Sequence, residues 1–192
     1  MINRSFFFSQ VRISLFDGKL KQQQVNGITA ILDEWESDKT KKDDRWLAYM
    51  LSTTHHETAA TMQPIEEFGK GKGRRYGKRL KMNGTSYSDT SNIFYGRGFV
   101  QLTWYENYDK AGKKLKEDFI QHPEKVMELA NATKIMFAGM ANGWFTGKKL
   151  GDYFNAVKED WVNARRIING LDRADWIASY AKKYYSAISY TV

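Results

Sequence analysis

The chain has 192 residues and a formal net charge of +8, with 30 Lys plus Arg against 22 Asp plus Glu. Hydrophobic residues make up 42%, enough to build a core without staples and too many for a disordered chain. Cysteine is absent, so disulfides, thiol nucleophiles and cysteine metal sites are excluded.

The opening Met1-Ile2-Asn3-Arg4-Ser5-Phe6-Phe7-Phe8 places a charge before an apolar run that stops at Ser9. A secretory signal needs about 7–15 apolar residues, so this segment reads as an ordinary helix without an export address. No stretch approaches the roughly 20 apolar residues of a membrane span. Apolar residues then recur at three- and four-residue steps over 6–15 and 22–35, predicting two helices around the turn Phe16-Asp17-Gly18-Lys19. A third helix starts at Asp43-Asp44, carries Trp46, Leu47, Met50, Leu51 and Thr54 on one side, and runs into His55-His56-Glu57. Residues 69–92 are rich in Gly, Lys, Arg, Ser and Thr and read as a long irregular loop or a small hairpin. Helical pattern returns near Tyr105, and again from Pro123 through Met136. A final helix starts near Asp172 and puts Trp176, Ile177, Tyr180, Ala181 and Tyr184 on one face. That face could dock on a membrane, but its spacing favours the core. The length suits a single domain, 1–192, or two lobes around one cleft.

His56-Glu57-Thr58 ends the third predicted helix. A carboxyl group there, among apolar neighbours, would have its pKa raised and keep a proton for a leaving group. A solvated Glu capped by polar groups is the plain alternative. The zinc-protease pattern His-Glu-x-x-His fails, because Thr58-Ala59-Ala60 follows and His122 stands alone. No metal and no cofactor are therefore expected. Gly69-Lys70-Gly71-Lys72-Gly73 lacks the strand and the ending of a phosphate loop. Glycoside hydrolysis needs a second carboxylate, and Glu66 and Glu67 follow closely. Tyr95-Gly96-Arg97-Gly98 then leads into Gln101, Thr103, Trp104 and Asn107, whose amides, hydroxyl and indole could floor a sugar site. The same residues could instead form a buried glycine-rich turn with satisfied polar groups.

Taken together, His56-Glu57-Thr58, Tyr95-Gly96-Arg97-Gly98, Gln101-Leu102-Thr103 and Asn107-Tyr108 resemble glycoside hydrolase family 19, the plant-type chitinases and lysozyme-like phage endolysins. Asn142-Gly143-Trp144-Phe145-Thr146-Gly147 with Asp152-Tyr153 resembles the endolysin branch, and Arg165-Arg166-Ile167-Ile168-Asn169-Gly170 a late substrate-binding segment. The resemblance implies a mainly α, lysozyme-like, two-lobed fold with a central cleft, and an inverting mechanism. It implies Glu57 as general acid and Thr103 as a holder of the attacking water. Gln101, Asn107 and Asn169 match sugar contacts, while Tyr95 and Arg97 would shape the cleft floor beside His56 and Trp104. The resemblance to the endolysin branch, with its Pro-Ile-x-Glu pattern, implies Glu67 as base and leaves Glu66 to bind substrate; the shorter acid-to-acid spacing of T4-type lysozymes would imply Glu66.

Chitin is neutral, whereas peptidoglycan and the bacterial surface are anionic. Lys70, Lys72, Arg74, Arg75, Lys78, Arg79 and Lys81 suit the second by long-range attraction. The expected partner is the peptidoglycan glycan strand, with an anionic wall or outer-membrane surface as a further contact. No nucleic-acid motif is present, and a monomer is expected. The reading is a muramidase endolysin held in the host cytoplasm until a separate protein permeabilises the membrane. The alternatives are an endochitinase and a non-catalytic basic protein that binds walls or nucleic acid.

Overall fold

The computed structural model describes residues 1–37 and 43–191. They form six α-helices, several 3-10 turns and two very short antiparallel strand pairs, so the expected helical class holds. Two compact units emerge: Met1–Met62 with Phe137–Val192, and Gln63–Met136.

The first unit is built on α3, Asp44–Glu57. Asp43 starts it, its carboxylate accepting the Arg45 N–H at 3.1 Å. Every residue from Leu47 to His55 is buried, so this helix is enclosed on all sides rather than amphipathic. It packs on α2 (Gln22–Ser37) and α6 (Ala174–Ala187), and α1 (Arg4–Leu15) also packs on α6. Phe7 and Val11 of α1, and Ile28, Ile31, Leu32 and Trp35 of α2, supply inward stripes at helical spacing. The end of the chain returns to its beginning: Asn3 N–H donates to the Ser189 carbonyl at 2.7 Å, and Thr191 N–H to that of Met1 at 3.0 Å.

α6 buries Ala174, Ile177, Ala178, Ala181, Tyr184 and Ala187, so it caps the core. Trp176 departs from the expectation: it is 53% exposed. The inward stripe is set by Ile177, and the preceding residue lies about 100° around the helix, outside that stripe. The helix also begins two residues later than expected, after Arg173, which adopts a left-handed φ of +57°. The first unit also holds a hairpin of β3 (Phe154–Asn155) and β4 (Lys158–Glu159). It is tied to α3 by Trp46 Nε1 donating to the Phe154 carbonyl at 3.1 Å.

Thr58 stops α3 directly after Glu57. Its hydroxyl donates to the Thr54 carbonyl at 2.7 Å and accepts the Met62 N–H at 3.1 Å. Within that turn Ala59, Ala60 and Met62 all take positive φ, at 49°, 61° and 54°. A side chain with a Cβ costs about 1 kcal/mol or more in this region. We therefore expect Ala60→Gly to raise unfolding free energy by about 1 kcal/mol, despite glycine's freedom in the unfolded chain. Denaturant melts check this; a loss of stability would mean the turn is not strained.

In the second unit, β1 (Ile65–Glu66) pairs antiparallel with β2 (Arg97–Gly98), setting Glu66 opposite Arg97. The segment 69–92 between them is mostly turns, with a 3-10 turn at Arg75–Gly77 and one isolated bridge, Leu80 to Ser86. It folds tightly where Gly71 meets Gly77: a Cβ on Gly77 would sit 1.8 Å from the Gly71 carbonyl oxygen. α4, Tyr105–Leu115, carries the buried Tyr108. An aromatic cluster joins it to the loop, with ring centroids 5.0 Å apart for Phe94 and Tyr108 and 4.8 Å for Tyr87 and Tyr105. A 3-10 turn at Pro123–Met127 packs on β2, and the unit boundary then falls within α5, Leu129–Asn142.

Candidate active site

The expected site residues divide between the units. His56, Glu57 and Asn169 belong to the first; Glu66, Glu67, Tyr95, Arg97, Gln101, Thr103, Trp104 and Asn107 belong to the second.

Glu57 is the last residue of α3, with its side chain 16% exposed. The apolar surround expected for it is replaced by a cation. Arg165 Nη1 donates to Glu57 Oε1 at 2.5 Å, from a guanidinium only 4% exposed. Arg165 Nε donates in turn to the Asp172 carbonyl at 3.1 Å, which fixes the plane of the fork. His56 is half-buried, and burial lowers its pKa, with Glu57 pulling the other way. Asn169 is exposed, and its side-chain oxygen accepts the Gly170 N–H at 2.8 Å.

In the second unit the Tyr95 hydroxyl donates to Glu66 Oε1 at 2.6 Å, Arg97 Nε lies 3.3 Å from the same oxygen, and Lys70 Nζ lies 3.2 Å from Oε2. The Tyr95 hydrogen bond first, then Lys70 and Arg97, holds the Glu66 carboxyl below the usual range. Arg97 is buried, 3.6 Å above the Tyr95 ring, and its Nη1 donates to the Ile93 carbonyl and the Tyr108 hydroxyl at 3.1 and 3.0 Å. Glu67 is held differently. Its carboxylate accepts the Tyr76 hydroxyl at 2.8 Å and the Gly96 N–H at 3.1 Å, while its own N–H donates to the Gly96 carbonyl at 2.7 Å. Both oxygens thus clasp the basic loop to the turn before β2.

Gln101 bridges main chain: its Nε2 donates to the Ile65 and Gly98 carbonyls at 3.1 and 3.3 Å. Gly96 lies close against it: a Cβ there would come within 2.8 Å of Gln101 Oε1 and displace the amide. Asn107 donates to the Thr103 carbonyl at 2.9 Å. Trp104 starts α4 at a φ of +74° and sets its ring edge-on to Tyr76, with centroids 5.7 Å apart. Among the described residues no cluster of three or more His, Asp or Glu side chains could hold a metal ion.

Residues 29–163 match the glycoside hydrolase family 19 model described as chitinase class I. The chain belongs to glycoside hydrolase family 19. This family 19 hydrolase is 31% identical to an acidic endochitinase of Petunia hybrida over 90 residues, 46% of the chain and 32% of that protein. It is 49% identical to an endochitinase of Arabidopsis thaliana over 35 residues, 18% of the chain and 13% of that protein. The chain thus aligns with less than a third of the length of either relative. Chitinase C from Streptomyces griseus HUT6037 superposes with a TM-score of 0.63 at 18% identity, covering 96% of this chain and 75% of that one. A bacterial family 19 chitinase does so with a TM-score of 0.57 at 17% identity, covering 96% and 93%. At such identities these structures share the mainly helical, lysozyme-like fold of the hydrolase.

Arg165 is the contact to Glu57 that sequence reasoning missed. It lies 108 positions away, just beyond the matched stretch, and no local spacing could reveal the pair. Tyr76 and Tyr108 were likewise invisible as partners of Glu67 and Arg97.

The hydrolase also buries a histidine two residues before Glu57. His55 Nδ1 lies 3.0 Å from the Tyr184 hydroxyl, with the Phe16 and Tyr180 rings at 4.9 and 4.6 Å. Burial, reinforced by His56 and Lys183, pushes its pKa down to about 4 from 6.5. The fold therefore favours the neutral ring. Its contribution is complete above pH 6.5 and is lost as pH falls toward 4. At about 1.4 kcal/mol per pH unit this is at most about 3 kcal/mol. Thermal melts from pH 7 to pH 4 should show a steeper loss for the native chain than for His55→Gln. Parallel curves would remove His55 as the cause.

Proposed function

We propose that this family 19 hydrolase cleaves β-1,4 bonds of bacterial peptidoglycan, as an endolysin-type muramidase, by inverting acid–base catalysis. The observation that carries the chemistry is Glu57: it lies in the His-Glu-Thr motif inside the matched stretch and is held by a buried guanidinium. The endochitinase names of the relatives support N-acetylated aminosugar polymers as the substrate class. The cations support the anionic polymer over neutral chitin. Lys70, Lys72, Arg74, Arg75, Lys78 and Arg79 are exposed, and no acidic residue interrupts them.

In this reading Glu57, ion-paired with Arg165 at rest, takes up a proton and gives it to the bridging oxygen as the C1–O bond breaks. Arg165 then faces the negative charge that the departing proton leaves behind. Water attacks C1 from the opposite face, and its proton passes to a second carboxylate. We assign that base to Glu66 in place of Glu67. A base must be ionised before it acts, and Tyr95, Lys70 and Arg97 hold Glu66 in that form. Glu67 holds the loop through Tyr76 and the Gly96 N–H, and of the two acids Glu66 is the more exposed. Thr103 is proposed to orient the water, and Asn107 and Asn169 to contact sugar. In keeping with the endolysin reading, the enzyme would reach the wall from the host cytoplasm when another protein opens the membrane.

Mass spectrometry of digested sacculi tests the bond. Reducing-end N-acetylmuramic acid is expected; N-acetylglucosamine ends or free peptide amines would refute it. The names of the relatives favour a second reading, an endochitinase, which hydrolysis of chitin oligomers as fast as sacculi would establish. For the base, Glu66→Gln should cost about 100-fold in turnover. Glu67→Gln should cost less than about tenfold while lowering the melting temperature. The reverse order would return the role to Glu67.

A further inference from the structure

Three features meet at the start of α6. Trp176 exposes half of its surface, although its neighbours Ile177 and Ala178 are buried. The Arg173 guanidinium lies 5.5 Å from the Trp176 ring centroid and has no carboxylate partner among the described residues. Arg173 also occupies a left-handed conformation, φ +57°, that glycine or asparagine adopts at lower cost. An arginine kept at such a position, free of ion pairs, is costly unless its side chain has a use.

The position ties these features to the acid. Glu57 is bonded to Arg165, and Arg165 Nε is bonded to the carbonyl of Asp172, the residue before Arg173. His56, next to Glu57, lies within electrostatic reach of both Asp172 and Arg173. No side chain caps the first N–H groups of α6, so its positive end adds to the field of Arg173.

We propose that Arg173 and Trp176 form a sugar subsite for a carboxylate-bearing N-acetylhexosamine, the N-acetylmuramoyl unit of peptidoglycan. The indole offers an apolar face to the sugar ring, as aromatic side chains do for flat apolar surfaces. The guanidinium pairs with the lactyl or stem-peptide carboxylate, which chitin lacks. This subsite rests on the peptidoglycan reading and adds to it the group that would distinguish a muramoyl unit from N-acetylglucosamine.

Equilibrium binding to the Glu57→Gln chain tests it without turnover. The probes are N-acetylglucosamine tetrasaccharide and a tetrasaccharide with alternating N-acetylmuramoyl units bearing a dipeptide. Arg173→Gly removes the cation and suits the left-handed backbone, so the fold should survive. It should weaken the muramoyl probe about fivefold and change the other by less than about twofold. Trp176→Ala should weaken both by about fivefold to tenfold. Equal effects of Arg173→Gly on the two probes, or no binding of either to the parent chain, would overturn the subsite. A chain that binds as expected but, with Glu57 intact, cuts neither polymer would keep the subsite and lose the catalytic reading.

Discussion

Glu57→Gln should reduce turnover on sacculi by about 1,000-fold, within the range that positioned proton transfer supplies. The change is close to isosteric. The amide oxygen can still accept from Arg165 Nη1, and the residue remains at the end of α3 with Thr58 closing the turn behind it. What disappears is a proton that can be released to a bridging oxygen. Stability should also fall, by up to about 3–5 kcal/mol, because the buried Arg165 guanidinium keeps only a neutral acceptor. Rates measured beside circular dichroism and a melt separate the two effects. A folded Glu57→Gln enzyme that dissolves walls at the native pace would end the assignment of this carboxyl as the acid.

The second large effect is expected at Arg165. Replacing it with Met keeps much of the side-chain volume but leaves the Glu57 carboxylate, 84% covered on the side-chain scale (16% exposed), without its counter-charge. Breaking a buried pair from one side costs about 3–5 kcal/mol, because the remaining charge stays desolvated. Asp172 also loses the donor to its carbonyl. A double-mutant cycle makes the argument specific. With Gln at position 57 no charge is left behind, so Arg165→Met should cost clearly less there than in the native chain. Additive losses would show that Arg165 acts through packing or through the Asp172 carbonyl instead.

Much of the fold was legible because helical periodicity is a local signal. α3 begins at the Asp43-Asp44 signal and ends at Glu57, where the sequence placed it. The loop 69–92 is as irregular as its glycines and cations implied, with a small bridge at Leu80 and Ser86. Trp176 was misplaced because an apolar residue beside a stripe looks like part of it, and one position of offset turns a side chain out of the core. The site was legible as a set of residue types and less so as a set of partners. Glu66 and Glu67 are adjacent acids in sequence. Only the pairing of β1 with β2 separates them, directing one to Tyr95 and Arg97 and the other to Tyr76 and the Gly96 N–H. Arg165 could not be found from any spacing, because it reaches Glu57 through the fold and not along the chain.

The discontinuity of the first unit also bears on how the polypeptide matures. The enclosed helix that ends at Glu57 has its main neighbour at Ala174–Ala187, more than a hundred residues further on. On the ribosome, Leu47 through Leu51 are synthesised long before the surface that covers them exists, so closing this core is a late, long-range event. Stop codons that remove the last twenty residues should therefore yield a chain prone to clumping, even though every residue of the proposed acid–base pair has already been made.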